Sequence, residues 1–307
     1  MKENEFLYAF FGKSLRNGII VRMPDELDRA VVLLPILYKL KKIMPEYCGL
    51  FVITSVANRQ LYRMVDCVDD MILLESGRTF WKKDELIQVK RLRSGVAVML
   101  HDSFTDRLCL KFAGVPKLYS KKKIMSLLSD SREVIGNQSM LQIPCETHEL
   151  CGKMPELFFH PLLLLIVPGK YEAMTDYYKK IALLWIRRGG IVAFCGSKRN
   201  FDVCEKIKKT LPPGKSFNLS GDCDVFAFAA ACRKAGFCII DDSGMRAIAV
   251  TAGGRGISIA EPQDNFMVNS DKWTIVPGRT TVRGIWQIIR KTSAEYGMPL
   301  EKYRRER

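Results

Sequence analysis

The chain has 307 residues, of which 48% are hydrophobic. Chains of this length usually divide into domains, because a single hydrophobic core does not grow to this size, so we expect two α/β domains. The formal net charge of +15 favours a polyanionic partner, without choosing between nucleic acid, an anionic membrane face and a phosphorylated substrate. The longest apolar run, residues 157–167, contains His160 and Pro161 and is too short to span a bilayer, which excludes it as a membrane-spanning helix.

The first half of the chain alternates predicted strands and helices. Residues 3–16 are predicted to form a leading helix, and residues 18–22 a buried strand. Apolar residues at helical spacing predict one helix over 30–43, in which Pro35 is tolerated as a kink near the start. The polar segment 120–155 is predicted to form loops over a cleft and the approach to a linker. Further strands are predicted at 50–54, 70–74 and 96–100.

The second half repeats this alternation. Strands are predicted at 162–167 and 190–195, and helices at 175–188, 202–210 and 281–296. Strands that alternate with helices favour a parallel sheet with right-handed crossovers. The sequence therefore predicts an α/β protein with two Rossmann-like, doubly wound domains, residues 1–158 and 159–307. We expect these domains to face each other across a cleft at the carboxyl ends of both sheets.

The segment 218–259 contains the strongest indication of a ligand site. It predicts a helix, a buried strand around 238–240, a turn through Asp242, Ser243 and Gly244, and a second helix. The first amides of a helix lack intrahelical partners and form the positive end of its dipole, so this corner suits a phosphate. Either Asp242 or Ser243 can cap the helix, and Gly244 allows a ligand to approach the backbone closely. An ordinary capped turn without a ligand is the alternative.

The cysteines and histidines argue against disulfides and against a metal site. The ten cysteines form no C-x-x-C pair, and many lie in apolar strand patterns, so we expect them to be reduced and structural. With no signal-peptide pattern at the start, this predicts a cytoplasmic protein. Three histidines, His101, His148 and His160, are too few and too widely spaced for a metal site. No G-x-G-x-x-G follows a strand, which disfavours a nicotinamide-dependent dehydrogenase.

Several short motifs occur together in an order that one known family shares. Residues 218–259 follow a pattern of N-L-x-G, helix, strand, N-D-S-G-P-x-H and helix, and Pro168-Gly169 is followed by a strand and glycine turn at 190–196. In the first half, 30–37 is similar to a helix with G-D-x-V-x-x-x-P, while 102–104 and 113–116 are similar to N-S-F-R-S and A-G-x-P. In this order the motifs resemble glycosyltransferase family 9, the heptosyltransferases of the lipopolysaccharide inner core, over about residues 19–289.

This resemblance implies the GT-B fold and inverting transfer of a heptose-like sugar. The donor would be ADP-heptose or a similar nucleotide sugar, and the acceptor an anionic glycolipid of the lipopolysaccharide-core type at the membrane surface. The resemblance implies no nucleic-acid partner, and it implies a cytoplasmic protein that is peripheral at the inner face of the cytoplasmic membrane. Basic residues on the surface would then face phosphorylated lipid.

The resemblance also implies roles for particular residues. A first-domain carboxylate would act as general base, while the second domain would neutralise the departing diphosphate. Neither a metal nor another cofactor is then needed, because helix amides and cationic side chains stabilise the leaving group. The donor's phosphates would be held by Asp242, Ser243, Gly244 and Met245 on one wall and by Gly169, Lys170, Gly196 and Ser197 on the other.

One departure from the family pattern concerns the general base. When Pro35 is aligned with the family's proline, Arg29 occupies the position of the catalytic aspartate. A guanidinium stays protonated and cannot act as a base. If the turn has one extra residue, Asp28 supplies the carboxylate, with Asp25 and Glu26 as alternatives; otherwise the base is absent.

Two further departures concern the donor site. Ala247 stands where the family has a histidine, and the loop over 169–177 is short, which leaves Lys170 as its nearby cation. Two hypotheses therefore remain. In one, the chain is an active inverting glycosyltransferase with Asp28 as its base. In the other, it is a catalytically degenerate GT-B protein that binds nucleotide or glycolipid or acts as a scaffold.

Overall fold

A computed structural model describes residues 11, 15, 17–75, 79–127, 141, 157, 160–168, 175–260, 272–277 and 280–295. The chain divides into two compact units, Met1–Ile135 and Gly136–Arg307, and each contains a sheet of parallel strands. The predicted domain boundary between residues 158 and 159, and most of the predicted helix over 3–16, lie outside the described residues.

The first unit is built on a sheet with the strand order β3-β2-β1-β4-β5, in which every neighbouring pair is parallel. Such pairing requires crossover connections, and the helices between the strands supply them. The strands are β1 (Gly18–Arg22), β2 (Gly49–Ser55), β3 (Asp70–Leu74), β4 (Val96–Met99) and β5 (Lys117–Ser120). The helices are α1 (Leu27–Val32), α2 (Leu34–Ile43), α3 (Arg59–Arg63), α4 (Lys83–Leu92), α5 (Phe104–Phe112) and α6 (Lys121–Leu127).

The second unit is built on a parallel sheet with the order β11-β10-β9-β6-β7-β8. Its strands are β6 (Leu163–Val167), β7 (Ile191–Phe194), β8 (Ser216–Asn218), β9 (Phe237–Ile240), β10 (Gly256–Ala260) and β11 (Trp273–Pro277). Its helices are α7 (Thr175–Ile186), α8 (Phe201–Lys209), α9 (Val225–Lys234), α10 (Ser243–Thr251) and α11 (Val282–Glu295). No helix in the described part of either unit is long and apolar enough to cross a membrane.

Central strands hold the loops that follow them in place. All residues of β1 and β6 are buried, a pattern typical of strands inside parallel sheets. In the second unit Trp185 is buried in the core, and its indole Nε1 donates to the Leu162 carbonyl oxygen at 2.9 Å. Ile285 and Ile289 of α11 belong to the same core. The two parallel α/β units confirm the predicted fold class.

The structure has two helices where one was predicted over 30–43. The first ends at Val32, and the second begins at Leu34 with Pro35 in its first turn. The prediction of one kinked helix is wrong. Proline has no N–H to donate, so it fits best at a helix start, where no intrahelical bond is required of it.

Other boundaries also differ from the predictions. The second helix predicted within 247–259 ends at Thr251, and β10 follows after Gly253, which has φ of 86°. The segment 120–155 does not begin as a loop, because Lys121–Leu127 is helical. From residue 128 onward that segment lies outside the described residues except for Leu141. The strands β5, β8, β10 and β11 were not predicted.

Candidate functional site

The turn from β9 into α10 forms the predicted phosphate-binding corner. Asp242 is the N-cap of α10, and its Oδ1 accepts a hydrogen bond from the Met245 amide at 2.9 Å. Asp242 and Ser243 are half-buried, while Gly244 is buried in the first turn. Helix geometry leaves the first amides of α10 without intrahelical acceptors, so they remain suited to an anion. The cap carboxylate and a phosphate would compete for this positive end of the helix.

Asp241 lies directly before the cap and is half-buried. Its Oδ1 accepts a hydrogen bond from the Ile259 amide at 3.0 Å, and its Oδ2 accepts one from the Tyr178 hydroxyl. Burial raises the pKa of Asp241 to about 6, and its two hydrogen bonds and the charge of Arg246 only partly offset this rise. The carboxyl therefore ties the end of β9 to both α7 and β10.

Arg246 projects from α10 into the unit and does not replace the histidine that is missing at Ala247. It is 4% exposed, and its Nη1 donates to the Ser258 hydroxyl at 2.9 Å. That hydroxyl in turn donates to the Ile240 carbonyl oxygen at 2.6 Å. Ala247 itself is buried. The guanidinium thus braces the sheet beneath the corner.

The loop after β7 lies at the same edge of the sheet. Gly196 has φ of 153°, and a Cβ there would lie 3.2 Å from Asn200, so a side chain would be strained. The Ser197 hydroxyl donates to Asn200 Oδ1 at 2.8 Å, and Asn200 Nδ2 donates to the Pro168 carbonyl oxygen at 3.0 Å. These bonds join the ends of β7 and β6. Gly169 and Lys170, the other two residues predicted on this wall, lie outside the described residues.

Sheet order sets the separation between these loops. Because β6 lies between β9 and β7, the strand spacing places their carboxyl ends about 10 Å apart. The structure therefore places Gly196 and Ser197 at the same sheet edge as the four residues of the α10 turn. Their role in binding a donor stays a prediction.

An ion network that the sequence analysis missed lies at the end of β1, with Arg22 and Asp106 buried and Asp25 exposed. Arg22 is 3% exposed, and its Nε donates to Asp106 Oδ2 at 2.7 Å. Its Nη1 and Nη2 donate to the two carboxylate oxygens of Asp25 at 2.9 and 3.0 Å. The Trp81 indole donates to Asp106 Oδ1 at 2.8 Å. An arginine that ends an apolar strand, in the sequence Gly18–Arg22, was the available signal for a buried partner.

The protonation state of this network follows from its charges. Burial alone would lower the pKa of Arg22, but the hydrogen bond and charge of Asp25 and the charge of Asp106 outweigh it and raise that pKa. The guanidinium is therefore a permanent cation. Asp25, one of the alternative bases, is held by this cation in a bidentate pair.

Asp28 lies in the first turn of α1 and is half-buried. Its Oδ1 accepts a hydrogen bond from the Arg29 amide at 2.8 Å. The side chain of Arg29 is 56% exposed, and its Nη1 lies 3.2 Å from Glu26 Oε1. Asp28 is thus placed as an acidic residue at a helix start, which suits the helix dipole and leaves its catalytic role a prediction.

Among the described residues, the cysteines and other possible metal ligands form neither a disulfide nor a metal-binding cluster. Eight cysteines are described, all as free thiols, and seven of these are buried. The other two, Cys145 and Cys151, lie outside the described residues. Within the described ranges, no group of three or more His, Cys, Asp or Glu side chains is placed to hold a metal ion.

Solved structures with a similar fold include glycosyltransferases and a UDP-GlcNAc 2-epimerase from Neisseria meningitidis, the latter with a TM-score of 0.55 and 10% identity over 94% of each chain. ADP-heptose LPS heptosyltransferase II of E. coli matches with a TM-score of 0.71 and 17% identity, over 93% of this chain and 99% of that chain. A family 9 glycosyltransferase from Veillonella parvula matches with a TM-score of 0.71 and 15% identity, over 94% of this chain and 95% of that chain. E. coli heptosyltransferase WaaC with ADP-2-deoxy-2-fluoro heptose matches with a TM-score of 0.63 and 11% identity, over 89% of this chain and 99% of that chain.

The other comparisons found no match: no family model and no curated protein sequence is similar to the chain. At 10–17% identity the structural matches establish the fold alone. The predicted resemblance to family 9 heptosyltransferases is confirmed at that level: the chain has a heptosyltransferase-like fold with the two parallel α/β sheets of the GT-B type.

Proposed function

We propose that this protein is an inverting glycosyltransferase, which transfers a heptose-like sugar from a nucleotide diphosphate sugar to a lipopolysaccharide-core-type glycolipid. The observation that supports this most directly is the Asp242-capped start of α10 at the carboxyl edge of its sheet. The same fold occurs in a heptosyltransferase structure that contains ADP-2-deoxy-2-fluoro heptose. A helix start at such an edge is a site where phosphates bind.

In this reaction an acceptor hydroxyl attacks the anomeric carbon of the donor. The new C–O bond forms on the face opposite the bond to the diphosphate, which breaks, so the configuration inverts. A carboxylate accepts the hydroxyl proton, and we assign this role to Asp28. The nucleoside diphosphate departs with its negative charge.

The leaving group would be stabilised by the turn of α10 together with the β7 loop. The backbone of Ser243, Gly244 and Met245 would bind one phosphate, with Gly196 and Ser197 on the other side. Gly169 and Lys170 would complete that wall. The proposal requires no metal, because amides and a lysine would neutralise the developing charge. Either the Asp242 side chain turns away from the Met245 amide when the donor binds, or the affinity for the donor's phosphate is reduced, because two anions cannot share the same amides.

The second candidate is a catalytically degenerate GT-B protein that binds nucleotide or glycolipid or serves as a scaffold. The geometry near β1 favours it: Asp25 is held by Arg22, and Arg29 pairs with Glu26 at the surface. The burial of Ala247 and the inward course of Arg246 leave the missing histidine without a substitute on α10. Asp28 is then only a helix-start residue.

The first experiment is calorimetric titration of the full chain with ADP and then with other nucleoside diphosphates, at moderate salt and without metal. Micromolar, base-selective binding would support a working donor site. If none of them binds, the donor site has been lost and the transferase proposal fails.

Turnover separates the two candidates. The protein would be incubated with ADP-heptose and a lipopolysaccharide-core acceptor, and release of ADP would be measured with and without the acceptor. Acceptor-dependent release supports the transferase. Nucleotide binding without any release, under conditions where an E. coli heptosyltransferase turns over, supports the degenerate protein.

A further inference from the structure

Four cysteine thiols of the second unit form two contacting pairs. Cys195 directly follows β7, Cys223 directly precedes the N-cap of α9, Cys232 lies on α9 and Cys238 lies on β9. The Cys195 thiol is in hydrogen-bonding contact with the Cys223 thiol, and the Cys232 thiol with the Cys238 thiol. All four are free thiols in the structure. Two thiols in contact are the starting geometry for a disulfide bond.

Both pairs lie on one face of the second sheet. The other face belongs to the core formed with α7, α8 and α11, which includes Val192 and Phe194 of β7 and Phe237 and Ile239 of β9. Because side chains alternate along a strand, Cys195 and Cys238 point away from that core. The helix α9 packs against β6, the strand between β7 and β9. The four thiols are therefore gathered between α9 and the sheet.

The two pairs differ in their access to solvent. Cys232 and Cys238 are both 0% exposed, so this pair is enclosed in the unit. In the other pair Cys195 is 0% exposed, whereas Cys223 is half-buried. A small oxidant dissolved in water can reach Cys223. An accessible thiol with a second cysteine in contact is the arrangement in which thiol oxidation leads to a disulfide.

The backbone on both sides of Cys195 is hydrogen-bonded to the loop that follows β8. On one side, the Phe194 carbonyl oxygen accepts a hydrogen bond from the Leu219 amide at 2.8 Å. On the other side, the Gly196 carbonyl oxygen accepts one from the Gly221 amide at 3.0 Å. The loop that carries the accessible thiol is thus held next to Cys195, and the two sulfurs meet without a rearrangement of either loop.

We propose that Cys195 and Cys223 are a reversible oxidation site, which hydrogen peroxide converts into a disulfide. The Cys223 sulfur attacks one peroxide oxygen, the O–O bond breaks, and the products are a sulfenic acid and water. The Cys195 sulfur then attacks the Cys223 sulfur. The S–S bond forms, the S–O bond breaks, and the hydroxyl leaves as water with the Cys195 proton. Two thiols thereby pass two electrons to one peroxide, and a dithiol reverses the change.

The environment of the pair sets the order of these steps. The contact with Cys223 and the burial of the side chain both raise the pKa of Cys195. The buried thiol therefore keeps its proton and does not react first. Oxidation of Cys223 to a neutral sulfenic acid removes the charge repulsion that contributes to this rise, so Cys195 becomes a better nucleophile only after the first step.

A disulfide here would act on one wall of the proposed donor site. Gly196 and Ser197, which directly follow Cys195, would move with it as the two sulfurs close to about 2 Å. Gly196 has little room to move, because a Cβ there would lie 3.2 Å from Asn200. We expect the oxidised protein to bind nucleoside diphosphates more weakly. This consequence rests on the proposed function, whereas formation of the disulfide does not.

Peptide mapping tests the disulfide directly. The full chain is treated with a slight excess of hydrogen peroxide, its remaining thiols are alkylated, and it is digested with trypsin without reduction. Cys195 then lies in peptide 189–198, Cys223 and Cys232 in 216–233, and Cys238 in 235–246. We expect 189–198 cross-linked to 216–233, with Cys232 alkylated, and separation of the two peptides by dithiothreitol.

Three variants sharpen this test. Cys223→Ser should form no cross-link, and Cys232→Ala, in the enclosed pair, should form it as the parent does. Cys195→Ala should leave a sulfenic acid on Cys223, which dimedone traps, because the second thiol is missing. Thermal unfolding checks that each variant folds like the parent. Absence of the cross-link in the parent, or a cross-link from 216–233 to 235–246 in its place, would overturn the proposal.

Calorimetry with ADP measures the consequence for the donor site. Oxidation of the parent should lower its affinity about tenfold, comparable to the loss of one hydrogen bond to a phosphate, and dithiothreitol should restore it. Peroxide should leave the affinity of Cys223→Ser unchanged. Equal affinity of the cross-linked and reduced parent would refute the effect on binding. Failure of the reduced parent to bind any nucleoside diphosphate would count against the transferase alone, because the cross-link is detected without nucleotide.

Discussion

The loops that follow β1 and β9 both place aspartates at the carboxyl edge of a parallel sheet. After β1, Arg22 is buried and paired with both Asp25 and Asp106, so its charge is already shared between two carboxylates. After β9, Asp241 is half-buried with a phenol and an amide as its partners, and Asp242 caps a helix. The first region resembles a structural brace, whereas the second presents the positive end of a helix, whose first amides lack intrahelical acceptors. An anionic ligand is therefore favoured at the second region.

The largest effect is expected from breaking the brace after β1. Arg22→Met removes the cation and leaves Asp106 buried without its charge partner, so the free energy of unfolding should fall by about 3–5 kcal/mol. Urea unfolding measures this change. Arg29→Met is the matched control, since its pair with Glu26 is exposed, and it should change stability by less than about 0.5 kcal/mol. A loss below about 1 kcal/mol in Arg22→Met would show that the network does not stabilise the unit.

Replacing Asp28 tests whether the first region also holds a base. If Asp28 accepts the acceptor's proton, Asp28→Asn should lower kcat by a factor of about 100 to 10,000 while the affinity for ADP stays the same. Single-turnover transfer and calorimetry measure these two quantities. Asp25→Asn serves for comparison: a larger loss of kcat in that variant would move the base to Asp25, and unchanged turnover in both would remove it from this loop.

A negative charge placed in the α10 turn should weaken nucleotide binding. Ser243→Asp puts a carboxylate against the phosphates, and we expect the affinity for ADP to fall at least about a hundredfold. Ser243→Ala removes the hydroxyl without adding charge and is the control. Asp242→Asn should act in the opposite direction: it keeps a good cap, removes one negative charge and raises affinity a few-fold. Unchanged affinity in Ser243→Asp would place the nucleotide site elsewhere.

The raised pKa of Asp241 predicts a smaller, pH-dependent effect. The folded state holds this proton up to about pH 6, whereas an unfolded aspartate releases it near 3.9. The contribution of Asp241 to stability is therefore greatest below about pH 4 and declines as the pH rises to about 6. Asp241→Asn removes this decline, so its stability relative to the parent should increase by about 2 kcal/mol between pH 4 and pH 7.

Urea unfolding at several pH values, with parent and Asp241→Asn compared at each, cancels the contributions of the other carboxyl groups. Tyr178→Phe provides a second check, because loss of its hydrogen bond to the carboxylate should raise the pKa of Asp241 further. A stability difference that is independent of pH would contradict the burial of this carboxyl group.

Parts of the fold could be predicted because their signal is local. The strands Gly18–Arg22 and Asp70–Leu74 have the predicted bounds, since each consists mainly of consecutive apolar residues. The strand and helix around Asp242 were likewise recognised from apolar pattern and capping residue type. The strands β5 and β8, only four and three residues long, have too few residues for a pattern to appear.

The candidate site was only partly predictable for a related reason. A capping aspartate is a local signal, so Asp242 was found, although the choice between Asp242 and Ser243 needed the Met245 hydrogen bond. The partners of Arg22 and Asp241 are 84 and 63 residues away along the chain, at Asp106 and Tyr178. No local pattern connects such pairs.

The sequence by itself determined the class of fold and the position of one anion-suited helix start, because apolar periodicity and capping act over a few residues. The tertiary structure decided which charges are buried, which are paired and which face water. It placed Arg246 inside the unit, paired Asp25 with Arg22 and left Phe104 and Phe112 exposed beside lysines. These outcomes depend on which distant elements pack together, and desolvation then sets the energy of every charge among them.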